Sequence, residues 1–388
     1  MKHSIQPGRS SRVLATSLAA LILLPITIWF IGSRLVPSAW DFRNNLWGPA
    51  YLLVHGLSPY NIHVIFQGSN AIWMPTIVGA LFPIGFLQLQ WASNLWLLLS
   101  LAALYLTVAL LAAPFKKPPV WTILAALALA IFPSTLSHLR LGQASLLVCL
   151  ALVLLSVRRA QLSASAAGAL LALSLAKPQL LLFFLPVYLL VTYREQGPGR
   201  MLRVMLFTAL WSLAFCIPLF VAFPNWIPDL LHNLAINNPW FYPSLYSLLV
   251  STLTSGVWAA ALAGVYLVLG LAIAVWAAFK LDGLEALLWA LALTTVFSPV
   301  IWSWDFVLLY PLLVFMAFAS KSRSGARVLY CGYAACTIAF MLIKIRGFVG
   351  DQFAMWVPPF LIATLVISRL LSRSAARRPQ LAPADLRP

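Results

Sequence analysis

Apolar runs of about twenty residues, the length a helix needs to cross a bilayer, recur along almost the whole chain. They fall at roughly 13–32, 91–113, 119–136, 143–157, 161–176, 178–193, 203–223, 256–279, 283–300, 304–320, 328–343 and 353–371. A soluble domain must keep a wet surface, and about a quarter of its residues are charged. Here 9% are charged and 62% are hydrophobic, with a mean hydropathy of +0.94. Most of the outer surface must therefore face lipid. The expected fold is all-α, a polytopic bundle of about twelve transmembrane helices in one domain at 13–371, with basic tails at 1–12 and 372–388.

Lys2, His3, Arg9 and Arg12 precede the first run, as in a signal peptide. The run is too long for a cleavable core and no small-x-small site follows it, so it reads as a retained helix. The runs at 143–157, 161–176 and 178–193 are short and need snorkelling flanks or an upright orientation to cross.

The net charge of +17 does not mark a nucleic-acid binder, because the basic residues sit between apolar runs, where they set orientation and meet anionic headgroups. The segment at 72–89 is also apolar but contains Pro75 and Pro83. If it lies in the interface, Lys116, Lys117, Arg158, Arg159, Arg194, Arg200, Lys280, Lys321, Arg323, Arg327 and both termini share the cytoplasmic side. Only Arg34, Arg43, Arg140, Lys177, Lys344 and Arg346 then remain outside. A crossing at 72–89 would invert most of these clusters, so the interfacial placement is preferred. It makes 32–91 a large external loop carrying interfacial helices and 224–245 a second external element.

Ionisable groups at a membrane are costly and mark function. Of the eight acids, this topology leaves Asp41, Asp229, Asp305 and Asp351 outside. Asp41, between Trp40 and Phe42, has the surroundings of a general base with a raised pKa; it also fits a helix cap or a partner of Arg43. Arg140, in His138-Leu139-Arg140-Leu141-Gly142-Gln143, suits an anion such as a phosphate, or a snorkelling anchor. Lys177-Pro178-Gln179 breaks an apolar run and presents an ammonium, as a phosphate partner or within a simple turn. Trp302 and Trp304 beside Asp305 are belt residues or walls for a sugar ring. The four cysteines lie in apolar stretches and the histidines are scattered, so no disulfide or metal site is expected.

In chain order these elements are Asp41-Phe42, His55-Gly56-Leu57-Ser58-Pro59-Tyr60, Trp73-Met74-Pro75, Arg140-Leu141-Gly142-Gln143, Lys177-Pro178-Gln179 and Ser298-Pro299-Val300-Ile301-Trp302. The set, spread over about residues 38–315, resembles glycosyltransferase family 87, which includes polyprenyl-phosphomannose-dependent mannosyltransferases. Two positions depart from the family pattern. Thr76 stands where the second Pro of a Tyr-Pro-Pro segment is usual, and Trp304-Asp305 where some members carry histidines. The second departure shifts donor-phosphate contact onto Arg140 and Lys177.

The resemblance implies a C-type (GT-C) membrane glycosyltransferase with a lipid-phosphate sugar donor, an external-loop Asp as base, and no nucleotide or metal cofactor. The expected reaction moves a mannose-like hexose or a pentose from a polyprenyl-phosphate donor to a lipid or glycan acceptor hydroxyl. It takes place with inversion, at the outer face of a cell membrane. Asp41 is expected to act as base, with Arg140, Gln143 and Lys177 on the donor phosphate. Asn44, Tyr60, Gln179, Trp302, Trp304 and Asp305 are expected to contact substrate, with Asp305 the rival base. The competing function is a transporter or flippase of a lipid-linked substrate, which would be marked by internal repeats that the chain does not display. A non-catalytic scaffold is the third class.

Overall fold

The computed structural model describes residues 39–66, 71–236, 242–253, 256–320, 322–346 and 350–377. The expected first span at 13–32 lies outside the described residues. Every regular element among those described is helical.

Local sequence sets the helix boundaries. Pro75, Pro119, Pro133 and Pro198 each open a helix at its first position, where the missing N–H leaves no bond unmade. The side chains of Ser163, Ser244, Asp282 and Ser322 cap the helices that follow them by accepting backbone N–H groups. Pro133 also breaks the expected span at 119–136. Phe132 before it is extended, and the Pro119–Ala130 and Pro133–Leu141 helices meet at 71°.

Five helical stretches among the described residues are long and apolar enough to cross a membrane: Leu89–Phe115, Pro198–Ala222, Gly256–Lys280, Arg323–Ile345 and Asp351–Ser372. The bent pair is a sixth if it counts as one span. The expected dozen is not reached by helix length. Ser145–Val157, with 13 residues, extends about 20 Å against a hydrocarbon core of about 30 Å. The segment at 72–89 forms only the Pro75–Ala80 helix and a 3₁₀ stretch at Phe82–Phe86, neither of spanning length.

Apolar helices are arranged in two ways. Gly283–Phe297 is covered on all sides, with every residue from Ala286 to Thr295 buried. Ser303–Leu309 and Tyr310–Ala319 continue this interior. Pro198–Ala222 and Gly256–Lys280 instead expose Leu206, Leu213, Val221, Val257, Val265 and Val268. Exposed apolar faces of this length are tolerated where lipid, not water, is the neighbour. Ser145–Val157, Gly283–Phe297 and much of Leu89–Phe115 form the packed centre, and Pro198–Ala222 and Gly256–Lys280 its rim, a multi-pass membrane architecture.

Candidate functional site

Asp41 is carried on a helical segment at 40–54 interrupted by a π-helical turn, Arg43–Trp47. Such insertions re-aim side chains and gather at functional sites. The Asn45 amide donates to Asp41 Oδ1 at 3.2 Å. The Gln143 amide donates to the other carboxylate oxygen.

Gln143 reaches Asp41 because of the turn before it. The Pro133–Leu141 helix ends at Gly142, in the left-handed region at φ +71°, and the His138 carbonyl accepts the N–H groups of Gly142 and Gln143. A Cβ at Gly142 would lie 2.5 Å from Phe42 Cβ. Only glycine supplies both the conformation and the close approach that puts the Asp41 segment against this turn. Trp96 fastens it, donating to the carbonyls of Gly142 and Gln143 at 2.9 and 3.1 Å and stacking on Phe42.

Lys177 follows the Ala164–Ser174 helix, where Pro178 opens a new 3₁₀ stretch. Its ammonium is buried and donates to Asp305 Oδ1 at 2.8 Å and to Ser145 Oγ at 2.9 Å. Ser145 donates to the same Asp305 oxygen, while Asp305 Oδ2 accepts the Trp302 N–H at 3.3 Å. Asp305 is fully buried with every contact supplied by the protein, the condition under which a buried ion pair is tolerated. Lys177 also lies 5.3 Å from the Trp73 ring centre.

The two clusters share one field. Asp41, outside the candidate spanning helices, has its carboxyl pushed up from 3.8 to about 6. Burial is the largest cause; the Lys177 charge and the two amide bonds pull the other way, and the nearby Asp305 charge adds to the rise. A carboxyl poised near neutrality accepts a proton at physiological pH and releases it afterwards.

Trp302 and Trp304 are stacked with ring centres 4.7 Å apart, and Tyr242 packs edge-on against Trp302. A cavity of about 360 Å³ lies beside Tyr242, lined also by Ser247, Leu248, Phe353 and Met355.

Other expected residues are elsewhere. Arg140 is exposed in the last turn of its helix and forms no ion pair among the described residues, whereas Lys177 is buried against Asp305. Asn44 is buried and accepts from Arg43 Nε at 2.9 Å. Tyr60 is in the core, with its hydroxyl on the Trp73 carbonyl and its ring near Trp226. Gln179 is half-buried beside Pro178.

Ser145 and Asp351 were not singled out by the sequence, yet one bridges Lys177 to Asp305 and the other binds Ser303. Ser145 carries no motif signal beyond following Gly142-Gln143 closely. Asp351 had only its rarity as an external acid. Among the described residues, no three His, Cys, Asp or Glu side chains converge as metal ligands.

No curated protein matches the chain. The family model described as glycosyltransferase family 87 matches residues 72–303, more than half of the 388. The matched stretch takes in Gln143, Ser145, Lys177 and Trp302, and it stops short of Asp41 on one side and Asp305 on the other. The chain belongs to glycosyltransferase family 87, a membrane glycosyltransferase by its family and its helices.

Proposed function

We propose that the protein transfers a sugar, a mannose-like hexose or a pentose, from a polyprenyl-phosphate donor to a hydroxyl of a lipid or glycan acceptor. The observation that carries this reading is the family match, joined by the Asp41 carboxyl that Gln143 and Asn45 fix within the field of Lys177. Asp41 takes the acceptor's hydroxyl proton as that oxygen bonds to the anomeric carbon. The bond from that carbon to the phosphate oxygen breaks, and the lipid phosphate leaves with the electron pair. A single displacement of this kind inverts the anomeric centre.

Lys177 stabilises the departing phosphate with its remaining N–H direction, since two are engaged by Asp305 and Ser145. Asp305 cancels much of its charge, so a further cation is needed, and in this reading it is Arg140, exposed three residues before Gln143. The stacked indoles of Trp302 and Trp304 offer a flat apolar wall to a sugar ring. Asp305 is the weaker choice of base, because its buried carboxylate is committed to Lys177, Ser145 and the Trp302 N–H. The active site faces the outer side of the membrane in this reading, with both termini cytoplasmic.

The test is turnover of labelled polyprenyl-phosphate mannose by purified Asp41→Asn and Asp305→Asn. General-base catalysis is worth roughly 10²–10⁴-fold, so Asp41→Asn should lose that much kcat. Asp305→Asn should mainly raise KM. The opposite pattern moves the base to Asp305.

A further inference from the structure

Asp351 lies far in sequence from the indole pair and makes its strongest contacts there. Its Oδ2 accepts the Ser303 N–H at 2.8 Å, and its Oδ1 accepts the Ser303 hydroxyl. Ser303 is fully buried and stands between Trp302 and Trp304 in the chain, so a carboxylate gripping both its polar groups fixes the backbone from which both indoles project. The same short turn carries Asp305, whose Oδ2 accepts the Trp302 N–H. Lys344 Nζ, at 3.7 Å, balances the Asp351 charge from the end of the Arg323–Ile345 helix. Just after Asp351, Gln352, Phe353 and Met355 line the cavity beside Tyr242, whose ring packs edge-on against Trp302.

We propose that Asp351 is the positioning residue of this site. Through Ser303 it holds the Trp302–Trp304 stack and the turn that aims Asp305 at Lys177, and it ties both to the cavity wall. A carboxylate is suited to this, because two charge-assisted bonds to one residue fix orientation as well as distance. The assignment of the indole pair as a sugar wall rests on the proposed transferase reading. The grip of Asp351 on the stack does not, and the two are tested apart.

Two indoles stacked this closely couple excitonically, and the far-ultraviolet circular dichroism of the pair is isolated as the difference between the protein and Trp304→Phe. Asp351→Ala should remove most of that couplet, while Lys344→Ala, which leaves both Ser303 bonds, should keep it. Asp351→Asn retains shape and one acceptor and should give an intermediate couplet; it decides the matter if Asp351→Ala does not fold. A full couplet in Asp351→Ala, or in Asp351→Asn where only that variant folds, would overturn the proposal. With labelled polyprenyl-phosphate mannose, Asp351→Asn should raise KM roughly tenfold with a smaller change in kcat, as the loss of one charge-assisted bond implies. A couplet that falls with no activity in the parent would sink the transferase reading and leave the positioning role standing.

Discussion

Replacing Asp41 with Asn separates a working carboxylate from a structural one, because the two roles predict opposite effects on stability. Asn keeps the shape, and its carbonyl still accepts from Gln143. The charge is lost, together with the weaker bond from Asn45, about 1 kcal/mol at every pH. The carboxyl titrates near 3.8 when exposed and at about 6 in the folded protein. A group whose folded pKa is raised favours the fold fully below the unfolded value, and that contribution disappears as pH rises through the folded value. The shift from 3.8 to about 6 corresponds to about 3 kcal/mol lost between those two pH values. Asp41→Asn does not titrate there, so its stability relative to the parent should rise by up to about 3 kcal/mol between pH 4 and pH 8. Thermal melting of both proteins in one detergent across that range measures this. The parent's kcat/KM should fall about tenfold per pH unit below about 6, as the base becomes protonated. A variant less stable than the parent at pH 8, or one that keeps its turnover, would refute the reasoning and make Asp41 a structural anchor.

Lys177→Met strands the Asp305 carboxylate in the interior and should destabilise by about 3–5 kcal/mol. Adding Asp305→Leu should restore most of that loss in the same melting assay, although activity should not return. Gly142→Ala forces a side chain into the left-handed region, about 1–2 kcal/mol, and onto Phe42, about 1–3 kcal/mol more. It should lower both melting temperature and kcat, because the turn also sets Gln143 against Asp41. Arg140→Ala, on an exposed side chain, should leave stability within about 0.5 kcal/mol while raising the donor KM. An unchanged KM would remove Arg140 from the phosphate site.

Helix type and the apolar class were legible because they depend on local composition: each described expected run is helical over much of its length. Span count was not, since the apolar pattern of a buried helix such as Gly283–Phe297 is the same as that of a lipid-facing one. Whether 13 residues at Ser145–Val157 cross a membrane depends on neighbours, not on their own hydropathy. In the site, Asp41, Gln143, Lys177 and Asp305 stood out as polar breaks in apolar sequence, and they lie in two clusters within one electrostatic field. Their pairing was not legible. Lys177 was expected to be an open phosphate ligand, but it is engaged by Asp305 across 128 positions of sequence. Tyr60 stood out by motif, yet its hydroxyl is bound in the core. Ser145 and Asp351 act through a few hydrogen bonds to residues distant in sequence, which leave no periodic or compositional trace.

The most direct measurement is transfer itself: purified protein in lipid vesicles, given labelled polyprenyl-phosphate mannose or the corresponding pentose donor with a membrane-lipid extract as acceptor. Free polyprenyl phosphate and glycosylated acceptor should appear in equal amounts, and neither should appear with Asp41→Asn or with a nucleotide sugar as the only donor. Transfer from the nucleotide sugar alone, or passage of the intact lipid-linked sugar across the vesicle with no bond broken, would contradict the account.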